Sequence, residues 1–398
     1  MATTASPAAA PALPDLSDTG TAFAHMSGRD LQRARLLFGI ISSPVVTKVG
    51  SWATKAALAL HLPIKPLIKA TVFRQFVGGE TIEESLLTAA RLAKRHVGTI
   101  LDHSVEGQES EEALDHNTDE ILRTIAAAKA HAEIPFSVFK PTGISRFALL
   151  ERKSAGTLTV DEQAEWARAE ARMLRLCQAA ADAGKPVLVD AEESWIQPAI
   201  DELTERMMAR FNRERAIVFN TVQHYRHDRL DYLRAAFSRA EQGRYHLGVK
   251  LVRGAYMEKE RARAAEQGYA DPVQPDKAAS DAHYDEALRF CAEHLDQVSV
   301  CVGTHNEAST MLMARLMAER GLERNDRRVW FAQLLGMSDN ISYNMAAAGY
   351  NVAKYVPYGP VREVLPYLIR RANENTSARG QTGRELGLIL AETRRRKE

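Results

Sequence analysis

The stretch DEQAEWARAEARMLRLCQAAADAG (residues 161–184) lies one residue before PVLVDAEES (residues 186–194), and the succession of the two indicates the fold. The first stretch has helical periodicity and ends in Gly184, as helices often do. The second is a short apolar run that becomes polar at Asp190, which is typical of a buried strand. Together they predict a long helix followed by a strand with polar side chains at its end.

The same alternation recurs along the chain from Thr81 onward. Each short apolar or β-branched run ends in a polar residue, and segments with helical periodicity, such as SDAHYDEALRFCAEHL (residues 280–295), separate the runs. The runs predicted to form strands are VGTILDHS (97–104), PFSVFKPTG (135–143), PVLVDAEES (186–194), AIVFNTVQHY (216–225), HLGVKLVRGAY (246–256), VSVCVGTHN (298–306), RVWFAQLLGM (328–337) and NVAKYVPYG (351–359).

Eight strand–helix units favour an α/β fold of the TIM-like (βα)8 type, with a parallel barrel inside and helices outside. A doubly wound open sheet is the alternative, but no GxGxxG turn follows any of the runs. We therefore predict a barrel catalytic domain over residues 81–380, an N-terminal helical segment over residues 29–80 and a C-terminal helix over residues 381–398.

The first 28 residues, MATTASPAAAPALPDLSDTGTAFAHMSG, contain no Lys or Arg and include Asp15 and Asp18. Secretory signals begin with positive charge and transit peptides are Arg-rich, so this segment fits neither. We predict that residues 1–28 form a disordered Ala/Pro-rich tail. No apolar stretch reaches the roughly 18–20 residues of a spanning helix, and we expect a cytoplasmic location in a bacterium, with peripheral contact at the inner membrane face as a further option.

Composition and charge exclude several classes of function. The formal net charge of +1 gives no overall attraction to nucleic acid. Cys177, Cys291 and Cys301 lie far apart without metal-ligand spacing, so neither zinc nor disulfides are indicated. We expect a reducing compartment, no metal and no nucleic-acid partner.

Reactive groups of such barrels sit at the C-terminal ends of the strands. Cations are frequent at these ends, and we interpret them as a strongly cationic mouth whose charges would repel one another unless an anion sits there. The polar strand-end residues are Asp102, His103, Lys140, Asp190, Gln223, Lys250, Arg253, His305, Gln333 and Tyr355, and the last helix adds Arg370 and Arg371.

Taken singly, these residues also have structural explanations: Lys140 as a solvated strand end, Asp190 as a helix N-cap and His305 as a packing histidine. Metal-dependent hydrolysis is not favoured, because the first run lacks a His-x-His pair. A glycosidase pair could be built from Asp190 with Glu192 or Glu193, but we expect the surrounding cations to prevent the rise in carboxyl pKa that a general acid needs. What remains is an anion site with little acid–base machinery, which suits hydride transfer to a tightly held cofactor.

The segment YVPYGPVREVLPYLIRRANENT (residues 355–376) contains the two arginines. A Pro-Tyr-Gly-Pro turn ends the last strand, and the spacing after the turn is helical. The polar face of this helix is either a solvated charged stripe or an anion clamp, whereas the opposite face can pack on a core. The polar face carries Glu363, Tyr367, Arg370, Arg371 and Glu374, and the apolar face carries Val364, Leu365, Leu368, Ile369 and Ala372.

The motifs KLVRGAY, THN, QLLGM and KYVPYGPVREVLPYLIRRANEN resemble those of proline dehydrogenase, the FAD-dependent enzyme of proline catabolism. VDAEES and FKPTG fall at the strand positions of the family pattern. The resemblance covers roughly residues 70–380 and is closer to the monofunctional, mitochondrial-type branch than to the bifunctional bacterial enzymes. It implies a distorted (βα)8 barrel that holds FAD, with the last helix over the barrel mouth.

The resemblance also implies roles for individual residues. Arg370 and Arg371, assisted by Lys140, would clamp the proline carboxylate. The residues implied to pack around the pyrrolidine ring or to orient Lys140 are Tyr355, Tyr367, Leu368 and Asp190. The residues implied to contact the flavin cofactor are Gln223, Lys250, Val252, Gly254, Ala255, Thr304, His305, Asn306, Gln333, Leu335 and Glu374.

Some of these implied roles also have a physical basis, and one rests on a difference between relatives. Lys250 near the isoalloxazine would stabilise electron density on the reduced ring. Gly254 and Ala255 have little side chain, which would let the backbone approach the cofactor phosphates. Relatives that prefer hydroxyproline carry a smaller residue in place of Tyr355, so this chain is expected to prefer L-proline.

The implied reaction is the oxidation of L-proline to Δ1-pyrroline-5-carboxylate, with hydride transfer to the flavin N5. A quinone is the implied electron acceptor, which requires transient contact with a membrane surface, and residues 36–77 would either make that contact or pack on the barrel. Δ1-Pyrroline-5-carboxylate dehydrogenase is expected as a separate chain. Two alternatives remain open: a related flavin barrel such as a methylenetetrahydrofolate reductase, and an inactive barrel that serves as an interaction scaffold.

Overall fold

The computed structural model describes residues 13–41, 65–103, 107–377 and 381–398, and the side chains of all of these except residues 67, 372–377, 381 and 382. Eight parallel strands close into a barrel in which each strand pairs with its neighbours in sequence and the last pairs with the first. The strands are β1 (Val97–His103), β2 (Phe136–Phe139), β3 (Val187–Val189), β4 (Val218–Gln223), β5 (Leu247–Val252), β6 (Val298–Gly303), β7 (Val329–Leu334) and β8 (Val352–Tyr358).

Helices connect the strands and extend the chain beyond the barrel at both ends. In the described ranges they are α1 (Thr19–Ala22), α2 (Gly28–Ile41), α3 (Lys65–Ile68), α4 (Arg74–Phe76), α5 (Ile82–Ala93), α6 (Glu111–Ala130), α7 (Phe147–Ala155), α8 (Val160–Ala183), α9 (Gln197–Phe211), α10 (Arg229–Gly243), α11 (Met257–Gln267), α12 (Lys277–Glu293), α13 (Glu307–Glu319), α14 (Asp339–Ala347), α15 (Val361–Ser377) and α16 (Gln381–Arg395). A π-helical stretch (Lys69–Phe73) joins α3 to α4.

The predicted barrel is confirmed, and each strand lies within the run predicted for it. The strands are buried on both faces, which is why they appear in the sequence as apolar runs. Inside the barrel, Phe136 meets Phe219 and Trp330 edge to face, with ring centroids 5.6 and 5.3 Å apart. This packed layer with Ile100 and Cys301 fills the barrel interior below the polar residues of the mouth.

The ends of the long helices follow local sequence signals. Thr159 and Glu162 form a reciprocal capping box at the start of α8, and Gly184 ends that helix in the left-handed conformation with φ of 63°. Asn306 caps α13 by accepting a hydrogen bond from the backbone N–H of Ser309. These caps fix where each helix starts relative to the strand before it.

A second apolar cluster lies outside the barrel and joins the two ends of the chain. Phe38 of α2 and Phe76 of α4 pack there with Leu365 of α15 and Ile389 of α16. The ring centroids of Phe38 and Phe76 are 6.3 Å apart in an edge-to-face arrangement. The extra N-terminal helices and the C-terminal helix therefore pack against α15.

The prediction of a disordered N-terminal tail is wrong for residues 13–28. Leu16, Ala22 and Phe23 are buried, and the backbone oxygen of Leu16 accepts a hydrogen bond of 3.0 Å from Asn340. Composition predicted disorder because the segment is rich in Ala and Pro, but a few apolar side chains suffice to anchor it. Residues 1–12, and residues 42–64 of the predicted N-terminal helical segment, lie outside the described residues.

Candidate active site

Polar side chains from five strands or strand ends converge at the C-terminal mouth of the barrel. Lys250 of β5 and Tyr355 of β8 belong to inward-facing positions, and Asp190 and Lys140 follow directly after β3 and β2. Asp102 lies near the end of β1 and is 4% exposed. The alternation of each strand brings these side chains above the apolar layer of the barrel.

Lys250, Asp190 and Tyr355 form a buried hydrogen-bonded group. The Lys250 Nζ donates to the Tyr355 hydroxyl at 2.6 Å and forms an ion pair with Asp190. The Tyr355 hydroxyl lies 3.4 Å from the same Asp190 oxygen and can donate to it. Burial raises the pKa of Tyr355 well above its ordinary value, and the negative charge of Asp190 adds to this effect. The phenol therefore stays protonated and links the lysine to the aspartate.

Lys140 approaches the same group from the opposite side of Asp190. Its Nζ is 3.7 Å from Asp190 Oδ2 and 3.6 Å from Asp102 Oδ2. Two lysines and two aspartates thus balance in charge, so the prediction of an uncompensated cationic mouth is wrong for the strand ends. The sequence placed Asp102 at a strand end, yet it was not among the predicted catalytic residues.

Arg253 was also expected at the cationic mouth, but it is held by side chains of α12 and of the segment after β6. Its Nε donates to Asp281 at 2.6 Å, while its terminal nitrogens donate to Thr304 at 2.7 Å and Ser309 at 2.9 Å. The guanidinium also lies 4.4 Å from the ring centroid of Tyr284. These contacts compensate its charge locally and fix the hydroxyl of Thr304.

The two predicted amides of the cofactor site are buried and bonded within the protein. Gln223 donates to the backbone oxygen of Glu192 at 2.7 Å, and its oxygen lies 3.4 Å from the backbone nitrogen of Ala255. Gln333 donates to the backbone oxygen of Thr304 at 3.1 Å and accepts from the Ser342 hydroxyl at 2.8 Å. Each amide therefore fixes the backbone of a neighbouring strand end.

The structure gives a local explanation for glycine at position 254, which differs from the predicted approach of the backbone to the cofactor phosphates. Its φ is 140°, and a Cβ added there would lie 1.8 Å from the ring of Tyr225. The backbone oxygen of Arg253 accepts a 2.6 Å hydrogen bond from the backbone N–H of Tyr225. The absence of a side chain at Gly254 thus makes room for Tyr225.

His305 and Asn306 lie between β6 and α13, with Val252 at the end of the neighbouring strand β5. Burial lowers the pKa of His305 to about 3, and the charges of Lys354 and Arg371 act in the same direction. The imidazole is therefore neutral, and its Nδ1 lies 2.9 Å from the Ser338 hydroxyl. The backbone oxygen of Val252 accepts a 2.8 Å hydrogen bond from the backbone N–H of His224.

Helix α15 lies near this mouth and carries the predicted clamp residues. Tyr367 and Leu368 are buried in the second apolar cluster, and Arg370 and Arg371 are half-buried. The guanidinium carbon of Arg371 is 5.4 Å from the ring centroid of Tyr367. The positive charge of Arg371 contributes to lowering the pKa of His305, so the two residues interact electrostatically.

Two other predicted cofactor residues belong to the elements that border the mouth. Leu335 follows β7, is half-buried, and donates its backbone N–H to the backbone oxygen of Tyr355 at 2.9 Å. Glu374 is a residue of α15, and its side chain is outside the described residues. The backbone of Leu335 is therefore at a strand end, and that of Glu374 is on the helix that carries the arginines.

Glu192 contradicts the expectation that no carboxyl pKa is raised here. Burial raises its pKa to about 8, although it accepts hydrogen bonds from the Thr142 backbone at 2.9 Å and the Thr142 hydroxyl at 2.7 Å. The charge of Lys140 lowers the pKa of Glu192, but the effect of burial is larger. A carboxyl held this way links the loop after β2 to the loop after β3.

Comparison with known proteins shows the family to which the sequence is similar. The sequence model described as proline dehydrogenase matches residues 85–384 of the chain. The carbapenem antibiotics biosynthesis protein CarD of Pectobacterium carotovorum subsp. carotovorum is 37% identical over 324 residues, which cover 81% of this chain and 83% of that protein. Proline dehydrogenase 1, mitochondrial, of Arabidopsis thaliana is 30% identical over 433 aligned positions, covering 96% and 86%.

Other similar proteins are longer than this chain. Human proline dehydrogenase 1, mitochondrial, is 45% identical over 241 residues, which cover 60% of this chain and 40% of the human protein. The crystal structure of proline utilization A from Bdellovibrio bacteriovorus, inactivated by N-propargylglycine, superposes with a TM-score of 0.72 at 18% identity, covering 94% of this chain and 40% of that one. At such low identity the structural match shows the shared barrel fold.

The family match extends from α5 to the start of α16 and so includes all eight strands and the helix that carries the two arginines. Among the helices of the described ranges, none combines the length and apolar character needed to cross a bilayer. The predicted family and the predicted class of oxidoreductase are confirmed. This chain belongs to the proline dehydrogenase family.

Proposed function

We propose that this chain oxidises L-proline to Δ1-pyrroline-5-carboxylate, with a quinone as the final electron acceptor. The observation that carries the proposal is the buried Lys250–Asp190–Tyr355 group at the barrel mouth, next to a helix that bears Arg370 and Arg371, within the family match over residues 85–384. FAD, when bound, supplies the chemistry of the oxidation by accepting a hydride at N5.

The donor set at the mouth fits FAD in chemical type. The isoalloxazine ring and the pyrophosphate of FAD are rich in hydrogen-bond acceptors, and Lys250, Arg371 and the amides Gln223 and Gln333 are donors. The N-termini of α11 and α13 lie at the same end of the barrel, where their dipoles favour an anionic pyrophosphate. The residues proposed to hold the cofactor are Gln223, Lys250, Val252, Gly254, Ala255, Thr304, His305, Asn306, Gln333, Leu335 and Glu374.

The proposed substrate clamp depends on α15. Arg370 and Arg371 can bind the proline carboxylate through two parallel N–H groups, and Lys140 assists from the strand side. Lys140 lies within 3.7 Å of both Asp102 and Asp190, which hold it in position and compensate its charge. The proposed clamp therefore combines two guanidinium groups from the helix with a lysine that the strand-end aspartates hold in position.

Tyr367 and Leu368 supply the apolar part of the proposed substrate site. Both are buried on α15, and Tyr355 lies at the mouth with its hydroxyl bonded to Lys250. Cations around the substrate lower the pKa of its amine, and the neutral amine is the form that can lose hydride. Holding the ring in one orientation supplies much of the acceleration, because positioning removes entropic cost from the reaction.

The decisive experiment is spectroscopic. The purified protein should show flavin absorbance, and anaerobic L-proline should bleach it, whereas D-proline serves as the control substrate. A flavoprotein that L-proline does not bleach would favour another flavin barrel, such as a methylenetetrahydrofolate reductase. A protein that cannot take up FAD would favour the inactive scaffold.

The proposed quinone acceptor implies transient contact with a membrane surface. Leu36 and Ile40 lie one turn apart on α2 and are 67% and 48% exposed, which supports such a contact. A steady-state assay with a ubiquinone analogue and dioxygen as competing acceptors tests the acceptor. Coupled turnover with Δ1-pyrroline-5-carboxylate dehydrogenase as a separate chain tests that proposed partner, and co-sedimentation with vesicles tests the surface.

A further inference from the structure

Ser338 is a buried serine with an unusual backbone conformation. Its φ and ψ are 50° and 45°, in the left-handed region, and it is 3% exposed. Residues with a side chain seldom adopt this conformation, and where they do the surroundings must enforce it. Glycine would adopt it without strain, so the serine side chain needs a separate explanation.

The surroundings of Ser338 hold the segment from Gly336 to Ser338 on two sides. Glu385 of α16 accepts a 2.6 Å hydrogen bond from the Ser338 backbone N–H. Lys354 donates to the backbone oxygen of Met337 at 2.7 Å. Gly336, with φ of 75°, lies so close to Gln75 that a Cβ there would be 2.2 Å from the Gln75 backbone oxygen. The conformation is therefore imposed by α16, β8 and α4 together.

The Ser338 side chain is directed at His305. Its Oγ lies 2.9 Å from His305 Nδ1, and His305 is half-buried and neutral. In a neutral imidazole one nitrogen donates and the other accepts, and the Ser338 hydroxyl can pair with Nδ1 in either role, so this contact fixes the orientation of the ring. With Nδ1 engaged by Ser338, Nε2 is the nitrogen that the ring can offer to a cofactor.

We propose that Ser338 is a positioning residue, which fixes the orientation of the His305 ring for the flavin, and that Glu385 holds Ser338 in the required conformation. The inference rests on the proposed function, because the role of His305 is a cofactor contact. It also connects α16 to the site, since the last helix of the chain reaches the mouth through Glu385, Ser338 and His305.

Because the backbone of Ser338 is left-handed, a glycine variant can remove the hydroxyl without straining the backbone. Ser338→Gly removes the hydroxyl but relieves the backbone, so the melting temperature should stay the same or rise. The dissociation constant for FAD, measured by flavin fluorescence, should nevertheless rise about fivefold to tenfold, the value of one hydrogen bond. Arg244→Gly is the matched control, because Arg244 is an exposed left-handed residue before β5, at the opposite end of the barrel. It should leave FAD binding unchanged.

A double-mutant cycle with His305→Ala shows whether Ser338 acts through His305. Ser338→Gly should weaken FAD binding in the wild-type background and have no further effect in His305→Ala. Equal effects in both backgrounds, or no effect of Ser338→Gly in either, would overturn the proposal. Glu385→Gln, which keeps an oxygen acceptor for the Ser338 N–H, should bind FAD better than Glu385→Ala.

Nitrogen chemical shifts of the His305 ring in flavin-free protein provide a readout independent of cofactor and turnover. The His305 ring signals, assigned by their loss in His305→Ala, should change at Nδ1 in Ser338→Gly, because that nitrogen has lost its hydroxyl partner. An unchanged signal refutes the positioning role even if the protein is a proline dehydrogenase. A changed signal in a protein that neither binds FAD nor oxidises proline supports the contact and refutes the proposed function instead.

Discussion

The strand ends of the barrel mouth carry lysines that are already paired with aspartates, whereas α15 carries two arginines on an apolar support. Lys250 and Lys140 each lie within 4 Å of Asp190. Arg370 and Arg371 are half-buried on a helix that packs through residues such as Val364 and Leu368. The strand half of the site, formed by these lysines and aspartates, is a closed electrostatic unit, while the helix half, formed by α15, is placed mainly by apolar packing.

The two halves should therefore respond differently to substitution. Breaking a buried pair leaves an uncompensated charge in the protein, so damage to the strand half should reduce stability as well as activity. Removing a helix arginine leaves the apolar contacts of α15 in place, so the damage should be mainly to substrate binding. Variants in either half can test that division.

Asp190→Ala should have the strongest effect, and we expect it on stability. The change leaves Lys250 and Lys140 without their shared carboxylate, and Lys250 is only 5% exposed. The free energy of unfolding should fall by about 3–5 kcal/mol, measured by urea denaturation with FAD omitted so that cofactor binding does not contribute.

The control for this prediction is the double variant Lys250→Met with Asp190→Leu. It removes both charges of the closest pair, so it should lose less than half of the stability that Asp190→Ala loses. A loss below about 1 kcal/mol in Asp190→Ala, the value of an exposed pair, would show that the strand half is not a closed unit.

A second effect concerns the pH dependence of stability and involves Glu192. Its pKa is raised to about 8 by burial, against hydrogen bonds from Thr142, with Glu193 raising it further and Lys140 lowering it. Ionisation is then less favourable in the folded than in the unfolded protein. The free energy of unfolding should therefore fall as pH rises from about 4.5 to 8, by up to about 1.4 kcal/mol per unit.

Glu192→Gln removes this titration while an amide can keep both contacts with Thr142. The stability of the variant relative to wild type should rise by about 3 kcal/mol between pH 5.5 and 7.5, as measured by denaturation at each pH. Glu202→Gln, at an exposed position of α9, is the matched control and should give a flat difference. A flat difference for Glu192→Gln too would mean that this carboxyl is ionised when folded.

A third effect tests the helix half through Arg371→Met. Loss of a charged hydrogen bond of about 1.5–3 kcal/mol should raise the KM for L-proline by roughly 10- to 100-fold, with little change in melting temperature. Arg362→Met, on the exposed face of the same helix, is the control and should leave proline kinetics unchanged. An unchanged KM in both Arg371→Met and Arg370→Met would refute the proposed clamp.

The sequence predicted the barrel well because the deciding signals are local. Strands buried on both faces appear as apolar runs, and caps such as Thr159 and Gly184 mark the helix ends in the sequence itself. The folded segment at residues 13–28 escaped prediction because it is held by a few long-range contacts, such as that of Leu16 with Asn340. The amino-acid composition of a segment does not indicate such contacts.

The site was predicted less completely, for a related reason. Residue types at strand ends identified Lys140, Asp190, Lys250 and Tyr355, which the structure brings together. How their charges are balanced depends on distances between strands, which spacing along the chain does not give. Ser338 had no sequence signal at all, because its conformation is set by Glu385, 47 residues later in the chain.

The smallest expected effect is that of Tyr355→Phe, which distinguishes the contribution of the hydroxyl from that of the ring. Tyr355→Phe keeps the ring at the mouth but removes the acceptor that lies 2.6 Å from Lys250 Nζ. One hydrogen bond within a group still paired to Asp190 should be worth about 1 kcal/mol, both in stability and in kcat/KM for L-proline.

Tyr358→Phe, on the same strand, serves to distinguish a loss of stability from a loss of kcat/KM. Its hydroxyl donates to Glu120 of α6 at 3.0 Å, away from the lysine–aspartate group, so this variant should lose similar stability while its proline kinetics stay unchanged. If Tyr355→Phe likewise lost stability without any loss in kcat/KM, the strand half would serve only to keep the barrel folded. A loss in kcat/KM confined to Tyr355→Phe would instead show that the orientation of Lys250 contributes to the reaction, in addition to the proposed clamp on α15.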